Sequence, residues 1–128
     1  MFLIRKTDTA LVRPIEYVPA SAMTPVVGMA LKISAGLLTM ASGADSPTFI
    51  SLCERESALT SGDLIPVLRV DGQIEFETIC EADLSAVKIG DKLNIDGSTV
   101  TAESGGAAEV VYLEKNADGT WTVRVRFN

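Results

Sequence analysis

Apolar and polar residues alternate with a period of two along much of this chain. Residues 73–80 show it most clearly: Ile74, Phe76, Thr78 and Cys80 point one way, Glu75 and Glu77 the other. Such alternation marks a strand with one buried and one wet face. The same reading predicts strands over residues 29–34, 37–40, 48–53, 64–70, 92–95, 98–102, 109–115 and 120–127. In the last of these Trp121, Val123, Val125 and Phe127 share one face, and Thr122, Arg124 and Arg126 share the other. Pro66 lies inside its strand, which predicts an edge position or a bulge, because proline lacks a ladder donor. Short helical turns are expected over 54–63 and 81–87.

Turn chemistry supports this order. Asp71-Gly72, Asp96-Gly97 and Asp118-Gly119 each separate two strand-like runs, and Asp-Gly in that setting predicts a tight hairpin of the primed type. Gly36 predicts another turn, and residues 42–47 read as a loop. The expected fold class is all-β with minor short helical turns, a small antiparallel β-barrel or sandwich with an extended N-terminal arm.

The arm comprises residues 1–25, and the β-rich domain residues 26–128. Pro14, Pro19 and Pro25 interrupt every candidate strand in the arm. Yet the arm is rich in apolar side chains, so it is expected to bury them on its own domain or on another chain. Phe2, Ile4, Arg5, Lys6, Arg13, Ile15 and Tyr17 are its candidate partner-binding residues.

A chain of 128 residues is expected to form one core without staples. Aromatic residues are 5%, so aliphatic side chains must build that core. The net charge of −6 disfavours nucleic-acid binding, which depends on neutralising phosphates. Charge is unevenly spread, at +2 over residues 1–41 and −8 over the remainder. The acids Asp71, Glu75, Glu77, Glu81 and Asp83 read as a solvated strand face, or as a surface that meets a cationic arm of a neighbouring molecule. Arg124 and Arg126 read as solvent-facing or paired with acids of the adjacent strand, such as Glu109. No signal peptide is expected, since the opening run MFLIRKTDTALV lacks a long enough apolar core, and no membrane span, since the apolar stretch from Ala22 to Ala41 is interrupted by Thr24, Pro25, Lys32, Ser34 and Gly36.

Candidate chemistry is sparse. The chain contains no histidine, which removes the commonest general base and metal ligand. Phosphate-loop, dinucleotide and nucleophile-elbow motifs are missing. Glu75 and Glu77 share a strand face and do not oppose each other across a cleft, as glycosidase carboxylates do. Cys53 and Cys80 are too few for a disulfide framework and read as buried free thiols, with a single disulfide between them as the alternative. No catalytic residue, metal or cofactor is expected, and the protein is read as non-enzymatic.

The runs GMALKISAG, PTFISLCE and EADLSAVKIGDKLNIDGSTVTAESGGAAEVVYLEKNADGTWTVRVRF, spanning about three-quarters of the chain, resemble the head-decoration (capsid cement) proteins of tailed bacteriophages. The resemblance implies a compact β-domain that forms a homotrimer on the outside of the head and stabilises it. It also implies an N-terminal arm that contacts the major capsid protein, and a virion location. The alternatives are a small ligand- or peptide-binding β-barrel of a bacterial cytosol, or another phage part such as a head–tail connector or tail component.

Overall fold

A computed structural model describes residues 1–7 and 14–127. Among the described residues twelve strands occur, in the order β1 Leu3–Thr7, β2 Ile15–Pro19, β3 Ala30–Ser34, β4 Leu37–Met40, β5 Ser42–Gly43, β6 Phe49–Ser51, β7 Leu64–Arg69, β8 Ile74–Cys80, β9 Lys92–Asp96, β10 Thr99–Ser104, β11 Ala108–Lys115 and β12 Trp121–Phe127. They form two antiparallel sheets. The larger runs β1-β8-β12-β11-β9-β10, with β5 also paired to β9, and the smaller runs β2-β7-β6-β3-β4. The chain is all-β, and the two sheets pack as a sandwich.

Sheet packing explains why some strands alternate and others do not. β8 alternates strictly because its outer face is wet. β6 is buried at all three residues because the small sheet is a wall between two cores. Ala30 and Ile50 look toward the large sheet, where Phe76, Leu93, Ile95, Val110, Val123 and Phe127 form the main core. Their neighbours Leu31 and Phe49 look the other way, into a second core with Leu38, Ile65 and Val67. Ala20, Met23, Val26, Cys53 and Leu59, from the segments after β2 and β6, cover that second core. The long apolar run after Ala20 is thereby accounted for.

Neither sheet closes into a barrel. In the large sheet β10 curls back over β8, but β8 already pairs with β1 on one edge and β12 on the other. No backbone edge is left for β10, and side chains make the contact instead. Thr78 Oγ1 donates to the Ser98 carbonyl at 3.0 Å, Thr99 Oγ1 to the Ile79 carbonyl at 2.8 Å, and Cys80 Sγ to the Val100 carbonyl at 3.2 Å. In the small sheet a single parallel bridge, Ala20 to Leu38, links the segment after β2 to β4.

Several local expectations are corrected. No helix forms among the described residues. The 54–63 segment spends its amides on the 20–25 segment, with Leu59 N donating to Met23 O and Gly62 N to Ala20 O, both at 2.8 Å. Near 81–87, the Asp83 carboxylate takes the Ser85 amide at 3.0 Å and holds one turn only.

Pro66 lies in β7, an interior strand and not an edge. Its carbonyl accepts from Leu52 N at 3.0 Å, so its donorless side faces the region past Ser51, where β6 has stopped. The β2–β7 ladder loses no bond.

None of the three Asp-Gly pairs supplies both central residues of a primed turn. Asp71-Gly72 carries the chain from the small sheet to the large one and joins no hairpin. At the other two sites only the glycine has positive φ, +57° at Gly97 and +90° at Gly119. Gly97 and Ser98 form a two-residue loop with the glycine first, the arrangement of a type II′ turn. The turn with positive φ at both central residues is Ala35-Gly36, at +51° and +80°, between Ser34 and Leu37.

Both cysteines are free and buried, one in each core.

Candidate functional site

The N-terminal strands take the outer positions of the two sheets. Among the described residues β1 pairs only with β8, and β2 lies at the end of its sheet beside β7. β1 is bulged between Ile4 and Lys6, a device that twists an edge and re-aims side chains.

This placement divides the candidate residues of the arm. Phe2 is buried at 2% exposure and meets Phe127 edge-on, with ring centroids 5.3 Å apart. It packs in the main core and lines the floor of the groove beside Ile4. Ile4 is half exposed and lines an apolar groove of about 210 Å³ with Ile50, Leu52, Leu68 and Phe76. Arg5 is exposed at the bulge, and Lys6 sits in register with Glu75. Arg13 lies outside the described residues.

Ile15 and Tyr17, on β2, are 57% and 66% exposed. They stand in register with Leu68 and Pro66, while Pro19 faces Leu64. Directly opposed residues share a sheet face. Leu68 also lines the groove beside Ile4, so the groove continues into a stripe of Ile15, Pro66, Tyr17 and Leu64. The structure therefore joins Ile4, Ile15 and Tyr17 on one apolar seam between the sheets. Sequence reading missed Leu52 and Leu64, which are exposed, and Leu68, which is buried at the groove, because a leucine's exposure is set by neighbours that the local pattern does not show.

Several charged residues pair with one another within the chain. Arg124 Nε bonds Glu77 and Arg126 bonds Glu75, each at 3.0 Å, across β12 and β8. The Arg124 guanidinium also lies 4.4 Å from the Tyr112 ring centroid. Tyr112 donates to Glu114 at 2.7 Å, and that bond raises the phenol above its ordinary pKa. Arg69 of β7 grips Glu16 of β2 at 2.8 and 3.0 Å and lowers its carboxyl pKa. Glu75 and Glu77 thus serve the large sheet's own outer face, and Glu16 points to the opposite face of β2 from Ile15 and Tyr17.

A second cleft, of about 440 Å³, opens where β10 meets β8, with Ile79, Glu81, Asp96, Thr99 and Thr101 on its walls. Among the described residues no group of three or more His, Cys, Asp or Glu is placed to hold a metal ion, and no helix is long and apolar enough to cross a membrane.

The chain matches no family model, no curated protein and no solved structure.

Proposed function

We propose that this is a non-enzymatic structural protein that decorates the outside of a tailed-phage head and stabilises it by binding the major capsid protein. The observation that carries the reading is the apolar seam from Ile4 through Leu68 to Ile15, Tyr17 and Leu64, bordered by the outer strands of both sheets. Exposed apolar surface of this kind marks interaction sites. An edge strand beside a groove suits the addition of a partner's extended segment. Binding that prefers the assembled shell stabilises it by mass action, without chemistry. The resemblance in the Gly28–Phe127 portion supports the same reading and adds a homotrimer.

Because Phe2 is in the core, removing the arm would test folding and binding together. Point variants separate them. The protein should co-sediment with shells assembled from the capsid protein encoded beside it. An Ile15→Asp, Tyr17→Asp double variant should stay in the supernatant with an unchanged unfolding midpoint. Light scattering should give three copies per particle for the free protein. Failure of the unmodified protein to bind shells, or full binding by the folded double variant, would reject the proposal.

A second reading rests on the cleft at β8 and β10, whose volume lies within the range of small-molecule sites. A metabolite that raises the unfolding midpoint, with the rise lost in Thr101→Trp, would favour a ligand-binding domain.

A further inference from the structure

The three Asp-Gly pairs look alike in sequence but differ in the state of the glycine amide. This nitrogen is the group that can attack the neighbouring aspartate side chain. At Asp96-Gly97 the glycine is buried, and its amide donates to the Ala41 carbonyl at 3.1 Å. At Asp118-Gly119 the amide donates to the Asn116 carbonyl, also at 3.1 Å. At Asp71-Gly72 the glycine is exposed, and among the described residues its amide donates no hydrogen bond.

The Asp71 and Asp118 carboxyls share one placement. Asp71 Oδ1 accepts the Gln73 amide at 2.9 Å, the same bond to the residue two ahead that Asp118 makes. Asp118 accepts both the Thr120 hydroxyl, at 2.6 Å, and the Thr120 amide, at 3.0 Å. Those bonds hold its carboxyl below the ordinary range, in the ionised form that does not readily expel water.

We propose that Asp71-Gly72 is a built-in site of isoaspartate formation, and that the folded protein protects the other two Asp-Gly pairs. The Gly72 nitrogen attacks Cγ of the protonated Asp71 carboxyl. A C–N bond forms, the amide proton and the carboxyl hydroxyl leave as water, and a five-membered succinimide results. Water then opens either carbonyl, returning aspartate or giving a β-linked residue of unchanged mass. Glycine favours ring closure because no Cβ hinders the approach. A bonded amide must first break free, by local opening of the structure, before it can react. The product inserts one extra backbone carbon into the link between β7 and β8, which joins the two sheets.

The test is ageing of the full-length protein at mildly acidic pH, followed by peptide mapping with enzymatic labelling of isoaspartate. A denatured sample run alongside shows all three sites reacting. In the folded protein, label should accumulate at residues 71–72 about fivefold faster than at 96–97 or 118–119, as loss of one net hydrogen bond implies. Asp71→Glu should abolish that label, because closure to a six-membered ring is slower. Comparable labelling at either protected site would overturn the proposal. So would no label at 71–72 over a time that isomerises the denatured sample.

Discussion

Thr78 reaches across the large sheet to the Ser98 carbonyl, 20 residues ahead in sequence and 3.0 Å away. The threonine is 2% exposed and points inward from β8, where an apolar side chain would be the ordinary choice. Its hydroxyl anchors the β9–β10 hairpin over a strand whose two edges are already taken. Thr78→Val keeps the shape and removes the donor, leaving the Ser98 carbonyl without this partner. We expect a loss of about 1 kcal/mol, read as a lower denaturant midpoint with an unchanged slope.

Phe2 ties the N-terminal strand to the last one. Its ring meets Phe127 at an interplanar angle of 77°, the edge-to-face arrangement aromatic pairs prefer. Phe2→Ala should cost about 3–5 kcal/mol. Ile4→Ala, at a half-exposed site one position from the bulge, should cost far less. Equal effects in equilibrium unfolding would show that the N-terminal strand does not share the main core.

Ala35 holds a φ of +51° in the turn between β3 and β4, a region L-residues other than Asn, Asp and Gly avoid. Asparagine tolerates this conformation and leads the preferences for such turns. Ala35→Asn should therefore stabilise the protein by about 1 kcal/mol. A thermal melt showing no rise would mean the turn relaxes in solution.

Among the described residues four carboxylates have lowered pKa values: Glu16 through its bonds to Arg69, Asp45 through Lys32, Asp83 through the Ser85 amide, and Asp118 through Thr120. A depressed folded-state pKa contributes stability that is present above the unfolded value and lost as pH falls through the folded one. Stability should therefore hold near neutrality and decline below about pH 4, where unfolded carboxylates take up protons. Thermal unfolding across the acid range reads this directly, and Glu16→Gln should make the decline shallower. These groups are solvent-exposed, and salt should weaken the effect.

The period-two pattern alone was enough to place β8 and β12 and to orient their faces, because a strand's side chains alternate whatever its partners are. The same reasoning located the hairpins at Gly97 and Gly119, since few residues other than glycine accept the backbone those turns need. It could not distinguish Asp71-Gly72 from the other pairs. Whether two strands joined by a turn pair with each other or part to different sheets depends on contacts made by residues far away in the chain. Pro66 was misplaced for a similar reason. A proline breaks a ladder only if its missing donor faces a partner, and the early end of β6 removed that partner. The seam was half legible. Ile4, Ile15 and Tyr17 stood out as apolar residues in a proline-broken segment, while Phe2, of the same character, went into the core. Leu64 and Leu68 joined the seam only through the β2–β7 register. Local chemistry determined the strands, their faces and the turns. Only the tertiary structure decided which apolar residues are buried and which are left to meet something else, because burial belongs to the packing of two sheets and not to any one strand.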